Sequence, residues 1–291
     1  MLLSKNRWVF IAFILVISCW VGCESTRRDI NIFLLNTEFL FDNLPPHGRI
    51  VGRNIPIPTK QEYESAAQSI AVLIDRTVVA KVKSYLKKPQ EWQIIFEEGR
   101  DTYTGQDVAI LTTFPSVKSS ITNFPNQREN YTVDGHKRSV RPSKILGVEL
   151  KVAGQPTYVL ITHLISRILK NDAKRLAQAT VVRRQAIKGL TANKNVIIME
   201  DMNDIPGTLT IQKLRGFDDT WANMIQTAES VDLTNRFTYI YKSEKHLLDH
   251  ILISPSFQDE FLRVDKERRC QISDVDLSDH RAMMVQLRFA D

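Results

Sequence analysis

Five times in this chain an apolar, β-branched run opens or closes on a carboxylate, an amide or an imidazole. Val196-Ile197-Ile198-Met199 runs into Asp201 and Asn203, and Tyr158-Val159-Leu160-Ile161 ends at His163. A strand-like stretch over residues 30–41 carries Asn36 and Glu38 two apart, so both face the same way. Asp249-His250 opens another run, and Asp279-His280 precedes the last one. Runs of this kind read as buried strands. The chain is thereby constrained to a layered sheet structure whose polar residues collect at strand ends. Singly, each feature has a plain reading: a His closing a strand is commonly a hydrogen-bonded structural residue, and an Asp–Asn pair a turn or helix cap. Together, they suit a hard divalent ion and a polarised phosphate.

The remaining pattern interleaves strands and helices. Further strands are predicted at 92–96, 107–111, 145–152, 237–241 and 283–289. Thr59 and Glu62 have capping-box spacing and open a helix with Tyr63, Ala66, Ala67, Ile70 and Ile74 on one face. Val78, Val79, Val82, Tyr85 and Leu86 continue helical spacing. A second long helix is predicted over 172–190, with Leu176, Ala179, Val182, Ala186 and Leu190 inward. Its Lys174, Arg175, Arg183, Arg184 and Lys188 lie off that stripe and read first as a solvated face, second as a phosphate-backbone tract. With 43% hydrophobic and 25% charged residues, disordered, collagen-like and polytopic membrane classes are excluded. Three cysteines exclude a disulfide framework or a Cys-rich zinc site. A net charge of +6 suits a phosphate-bearing partner as readily as an ordinary solvated surface. One α/β domain is expected over 29–291.

Residues 1–23 are expected to lie outside that domain. Lys5 and Arg7 precede an uncharged apolar run from Trp8 to Val21, the order and length of a signal-peptide core. Cys19 and Cys23 each resemble the lipidated Cys of a bacterial lipoprotein box, Cys19 the better. The expectation is an exported monomer, secreted or held at a membrane through an N-terminal anchor or lipid. Cys270 is then a lone buried thiol.

Leu35-Asn36-Thr37-Glu38-Phe39-Leu40-Phe41-Asp42, Thr162-His163-Leu164, Asp201-Met202-Asn203-Asp204, Leu248-Asp249-His250-Ile251-Leu252 and Ser278-Asp279-His280-Arg281 resemble, in order, the motifs of the endonuclease/exonuclease/phosphatase family, the deoxyribonuclease-I-like fold. The resemblance covers about residue 30 to the end. It implies a four-layered α/β sandwich, with two central, mostly antiparallel sheets flanked by helices. It also implies hydrolysis of phosphodiesters or phosphomonoesters with Mg²⁺, Mn²⁺ or Ca²⁺, on substrates such as nucleic acids or phospholipid head groups. Carried over by residue, it puts Asn36 and Glu38 in the metal environment and makes Asp279 a metal ligand. Asp201 would orient and deprotonate the attacking water, and Asn203 would hold the phosphate. Asp249 would orient His280, which contacts the scissile phosphate or transfers a proton, and His163 would stabilise developing charge.

Two departures from the family pattern carry expectations of their own. Family members have a strand ending in a metal-binding Glu after the first helix. Here Ile70-Ala71-Val72-Leu73-Ile74-Asp75 passes straight to Arg76-Thr77-Val78-Val79. The sheet is therefore expected to be one strand short near 75–76, the metal weakly held and turnover impaired. In the alternative, the chain is a surface-anchored phosphate-binding homologue. Glu200 stands where the family usually has Gly, and strand alternation points it away from Asp201.

Overall fold

The computed structural model describes residues 10–20, 28–40, 88–97, 99–100, 106–167, 171–217, 220–275 and 278–290. The predicted helix from Thr59, its continuation to 86 and the junction at 75–76 lie outside the described residues. The first half of the described chain is almost all strand: β1 (Phe10–Trp20), β2 (Arg28–Leu40), β3 (Gln93–Phe96), β4 (Gln106–Thr112), β5 (Glu129–Val133), β6 (His136–Val140), β7 (Lys144–Val152) and β8 (Gln155–His163). There follow α1 (Asp172–Thr191), β9 (Asn195–Asp201), α2 (Leu209–Arg215), β10 (Ile225–Gln226), β11 (Tyr239–Tyr241), β12 (Glu244–His246) and β13 (Asp249–Ile253). The chain closes with α3 (Gln258–Leu262), α4 (Lys266–Arg269), β14 (Cys270–Ser273) and β15 (Ala282–Phe289).

These strands build two main sheets, six-stranded in the order β14-β15-β2-β1-β4-β3 and five-stranded in the order β10-β13-β9-β8-β7. Pairing is antiparallel except for β1 with β4 and β8 with β9. Three hairpins turn on two left-handed residues each, Asp134-Gly135, Ala153-Gly154 and Lys242-Ser243, the twist that matches adjoining strands.

Alternation decides which face each side chain covers. Ile30, Ile32 and Leu34 of β2 meet Ile197 and Met199 of β9, Val159 and Ile161 of β8, and Ile251 and Ile253 of β13 in one cluster between the sheets. The intervening residues Leu160, Ile198 and Leu252 pack outward beneath Ala179, Val182 and Ala186 of α1 and Ile211 and Leu214 of α2. Both faces of β8 and β9 are therefore buried, which is why their sequences are unbroken apolar runs rather than alternating ones. Two sheets with helices packed on them make the mixed α/β class expected from the sequence.

The structure departs from the sequence reading along α1. Arg175 and Arg183 are not on a solvated face: both are buried, Arg175 against Asp204 and Arg183 donating to the Ala222 carbonyl at 2.9 Å. Their guanidinium groups reach past the helix to satisfy acceptors that apolar neighbours cannot. The apolar run read as an export segment is paired at 10–20 as β1, between β2 and β4. The β5–β6 hairpin, α2 and β14 were not anticipated, being short or polar along one face. Cys270 is buried and unbridged as expected, and burial pushes its thiol up to about 12.

Candidate active site

Strand directions bring the polar termini to one place. β8 and β9 run parallel and end on His163 and Asp201. β13 runs antiparallel to β9, so its first residue, Asp249, lies directly across from Asp201. In the other sheet, β15 runs antiparallel to β2, which sets His280, two residues before β15, at the same end as Asn36. The Asn36 amide nitrogen bridges the two sheets, donating to Asp201 Oδ2 at 3.2 Å.

Asp201 is the hub. Its Oδ1 accepts from the Asn203 backbone N–H at 2.7 Å, and Oδ2 also accepts from Asn203 Nδ2 at 3.1 Å. A carboxylate has about four lone-pair sites, so the network leaves room for one further donor on Oδ1. Burial first, and then Asp249, push the Asp201 carboxyl up to about 7, against the opposing pull of His280.

Asp249 and His280 form the second unit, His280 Nδ1 standing 2.6 Å from Asp249 Oδ2. Burial opposes charge on this imidazole, but Asp249, Asp201 and Asp279 outweigh it and raise it to about 10, so it is a cation at neutral pH. Its backbone N–H donates to Ser278 Oγ at 3.0 Å, its backbone bridges Tyr239, and the two rings lie 4.8 Å apart. The Thr238 hydroxyl accepts from the Asp249 N–H at 3.1 Å.

His163 lies on the other side of Asp201, its Nε2 3.3 Å from Asn203 Nδ2. Burial, Lys144 and His280 together hold it well below the usual imidazole range, so it is neutral. The cation of the site is His280.

Asn36, Asp201, Asn203, His163, Asp249 and His280 thus share one hydrogen-bonded centre. Glu38 lies on β2 two residues beyond Asn36, and Asp279 is exposed beside His280. For the expected divalent ion the described residues offer only a partial set of ligands. Mg²⁺ takes oxygen ligands with one or two carboxylates, yet it is the amide nitrogen of Asn36 that faces Asp201. Among the described residues no three His, Cys, Asp or Glu side chains converge to hold a metal. The described donors do not by themselves close a metal centre.

Several supporting residues escaped the sequence reading. Buried Lys144 lies opposite His163 in the β7–β8 ladder, a pairing that the Ala153-Gly154 turn would have given by counting back. Arg175 Nε donates to buried Asp204 Oδ2 at 3.0 Å and also meets Asp172. His250 Nε2 contacts the Asp204 carbonyl at 2.9 Å. These contacts clamp the loop after β9, where Asn203 is left-handed. No sequence signal marked the two contacts to Asp204, since each joins elements far apart in the chain. Glu200 also departs from expectation. Its φ of +128° is one that L residues rarely adopt, and it breaks the alternation: the buried carboxyl comes within 3.8 Å of His163 Nδ1.

The sequence matches the endonuclease/exonuclease/phosphatase family over residues 62–269. No curated protein matches it. Among solved structures, a truncated TDP2 from Caenorhabditis elegans superposes with a TM-score of 0.51 at 17% identity, covering 78% of this chain and 91% of that one. The selenomethionine form of TDP2 from the same organism gives 0.50 at 17% identity, over 80% and 71%. At that identity the likeness is one of fold.

Proposed function

The chain belongs to the endonuclease/exonuclease/phosphatase family, and on that premise we propose that it hydrolyses a phosphodiester or phosphomonoester at the Asp201–His280 centre. The observation that carries this reading is the split between two facing carboxylates. Asp249 is committed to His280 at 2.6 Å, while Asp201, held near neutrality, keeps one acceptor position. A carboxyl balanced near pH 7 is matched to taking a proton from water. The Asp249-paired imidazolium of His280 supplies positive charge for phosphate oxygens in a buried, low-dielectric setting. Asn36 and Asn203 hold the base in its rotamer.

In the reaction as proposed, a water on Asp201 Oδ1 attacks phosphorus in line with the leaving oxygen. Its proton passes to Asp201, the P–O bond to the leaving group breaks, and His280 balances the charge on the phosphoryl oxygens or protonates the departing oxygen. Mg²⁺ would add charge neutralisation; the family pattern supports it, and a sequence without the family's strand ending in a metal-binding Glu predicts weak binding. The substrate is proposed only as far as its phosphoester, from nucleic acid to lipid head group, since one fold serves many substrates.

A second reading, a phosphate-binding homologue with little turnover, is favoured by the same departure of the sequence from the family pattern at residues 70–79. Hydrolysis of bis(p-nitrophenyl) phosphate and of p-nitrophenyl phosphate at millimolar Mg²⁺, with calorimetry of Mg²⁺ binding, separates the two. Turnover that falls at least a hundredfold in Asp201→Ala supports the hydrolase. Phosphate binding without turnover supports the homologue, and turnover unchanged in Asp201→Ala rejects the assignment of the base.

A further inference from the structure

We propose that Glu200 is the positioning residue of His163, fixing its ring tautomer much as Asp249 fixes that of His280. The inference rests on the hydrolase reading for its catalytic consequence, but the pairing itself does not. Glu200 is fully buried, and neither carboxyl oxygen meets a side-chain hydrogen-bond partner among the described residues. It occupies a backbone conformation with φ +128° that favours glycine. A buried acid on strained backbone is costly twice over, and such sites cluster where a side chain is needed for function.

What that carboxyl faces is His163: Oε2 lies 3.8 Å from Nδ1. The proton on the imidazole can be placed by elimination. Asn203 Nδ2 also contacts the Leu164 carbonyl at 2.9 Å and Asp201 Oδ2 at 3.1 Å, both acceptors. That end of the amide is therefore the NH₂, its two hydrogens taken by those acceptors, and a proton on His163 Nε2 would meet a donor at 3.3 Å. A neutral imidazole with Nε2 unprotonated carries its proton on Nδ1, the ring nitrogen 3.8 Å from Glu200 Oε2, within electrostatic reach though longer than a hydrogen bond. An oxygen there favours this tautomer.

The surrounding charges agree. Asp201 and Asp249 crowd Glu200, Lys144 attracts it, and the Asp201 backbone amide contacts it; burial dominates, holding the carboxyl well above the usual range. Lys144 and His280 face His163. A neutral acid still presents its carbonyl oxygen to the Nδ1 proton, so the pair needs no net charge. His163 then presents an unprotonated Nε2 at the cleft, beside Asn203, as a hydrogen-bond acceptor for substrate or water.

The test compares the full chain with Glu200→Gly, which suits the backbone, and Glu200→Gln, which keeps an acceptor oxygen. Long-range ¹H–¹⁵N spectra of ¹⁵N-histidine-labelled protein read the His163 tautomer without any substrate. The expected result is a dominant Nδ1–H form in the wild type, a mixed population in Glu200→Gly, and recovery of most of the Nδ1–H signal in Glu200→Gln. On bis(p-nitrophenyl) phosphate, kcat falls about tenfold in Glu200→Gly with KM unchanged, and this drop vanishes in a His163→Ala background. Identical His163 nitrogen shifts in wild type and Glu200→Gly overturn the pairing. Altered shifts in a protein without any turnover uphold the pairing and reject the hydrolase reading instead.

Discussion

Asp201 and Asp249 stand opposite each other in the β9–β13 ladder, yet only Asp249 holds an imidazole. Two buried carboxylates this close resist joint ionisation. His280 resolves the conflict by pairing with one of them, and the other is left near neutrality. Their different partners give identical side chains different chemistry.

In metal-free protein this arrangement sets a pH dependence. The Asp201 carboxyl is raised from 3.8 to about 7 and His280 from 6.5 to about 10. Both values lie above those of the unfolded chain, so each group stabilises the fold in its protonated form. The Asp201 contribution is lost as pH rises from about 4 through 7, and that of His280 from about 6.5 through 10. Urea midpoints in EDTA are therefore expected to fall from pH 6 to pH 10, with a shallower slope in His280→Gln. Equal slopes in the two proteins would contradict a cationic His280.

Arg175 is expected to matter for stability although it touches no substrate. Arg175→Met leaves Asp204 buried without its 3.0 Å partner, a loss typically of about 3–5 kcal/mol. Arg167 Nε remains 3.9 Å from Asp204, which places the expected loss near the lower figure. Adding Asp204→Leu is expected to recover most of the urea midpoint, because the uncompensated charge is gone. A double variant no more stable than Arg175→Met would point to packing rather than charge.

Glu200→Gly is expected to stabilise the protein. Relief of the left-handed backbone is worth about 1–3 kcal/mol, offset by about 0.4–1 kcal/mol from the freer unfolded chain. A net gain of about 1–2 kcal/mol corresponds to a rise of a few degrees in melting temperature. Calorimetry that finds the variant less stable would show that the Glu200 carboxyl contributes more to packing than its strain costs.

Removing residues 1–23 decides between two roles for the apolar N-terminal run. As β1 it pairs with β2 on one side and β4 on the other, so its loss leaves two buried ladders unpaired. The truncated chain is then expected to lose its cooperative urea transition. A truncated chain with an unchanged midpoint, together with a mature N-terminus at or near Cys19 or Cys23 in protein from cells, would favour the export segment instead.

The strand-end carboxylates, amides and imidazoles were legible because burial forces polar atoms to the termini of apolar runs, and the ordered motifs tied them to one family. Strands β7, β8, β9, β13 and β15 and helix α1 were legible for a related reason: their period is written in consecutive residues. Burial of Arg175 and Arg183 was not, since a basic residue beside an apolar stripe has the same spacing whether it meets water or a distant acceptor such as Asp204. Nor could period-two alternation anticipate Glu200, whose left-handed backbone turns it onto His163. The sequence by itself determined which residues lie at the sheet ends. Which carboxylate is raised toward neutral pH, which imidazole is a cation and which guanidinium is buried were decided only when the chain's ends of strands met, because charge state depends on neighbours in space and those neighbours are 31 residues apart for Asp249 and His280 and 165 for Asn36 and Asp201.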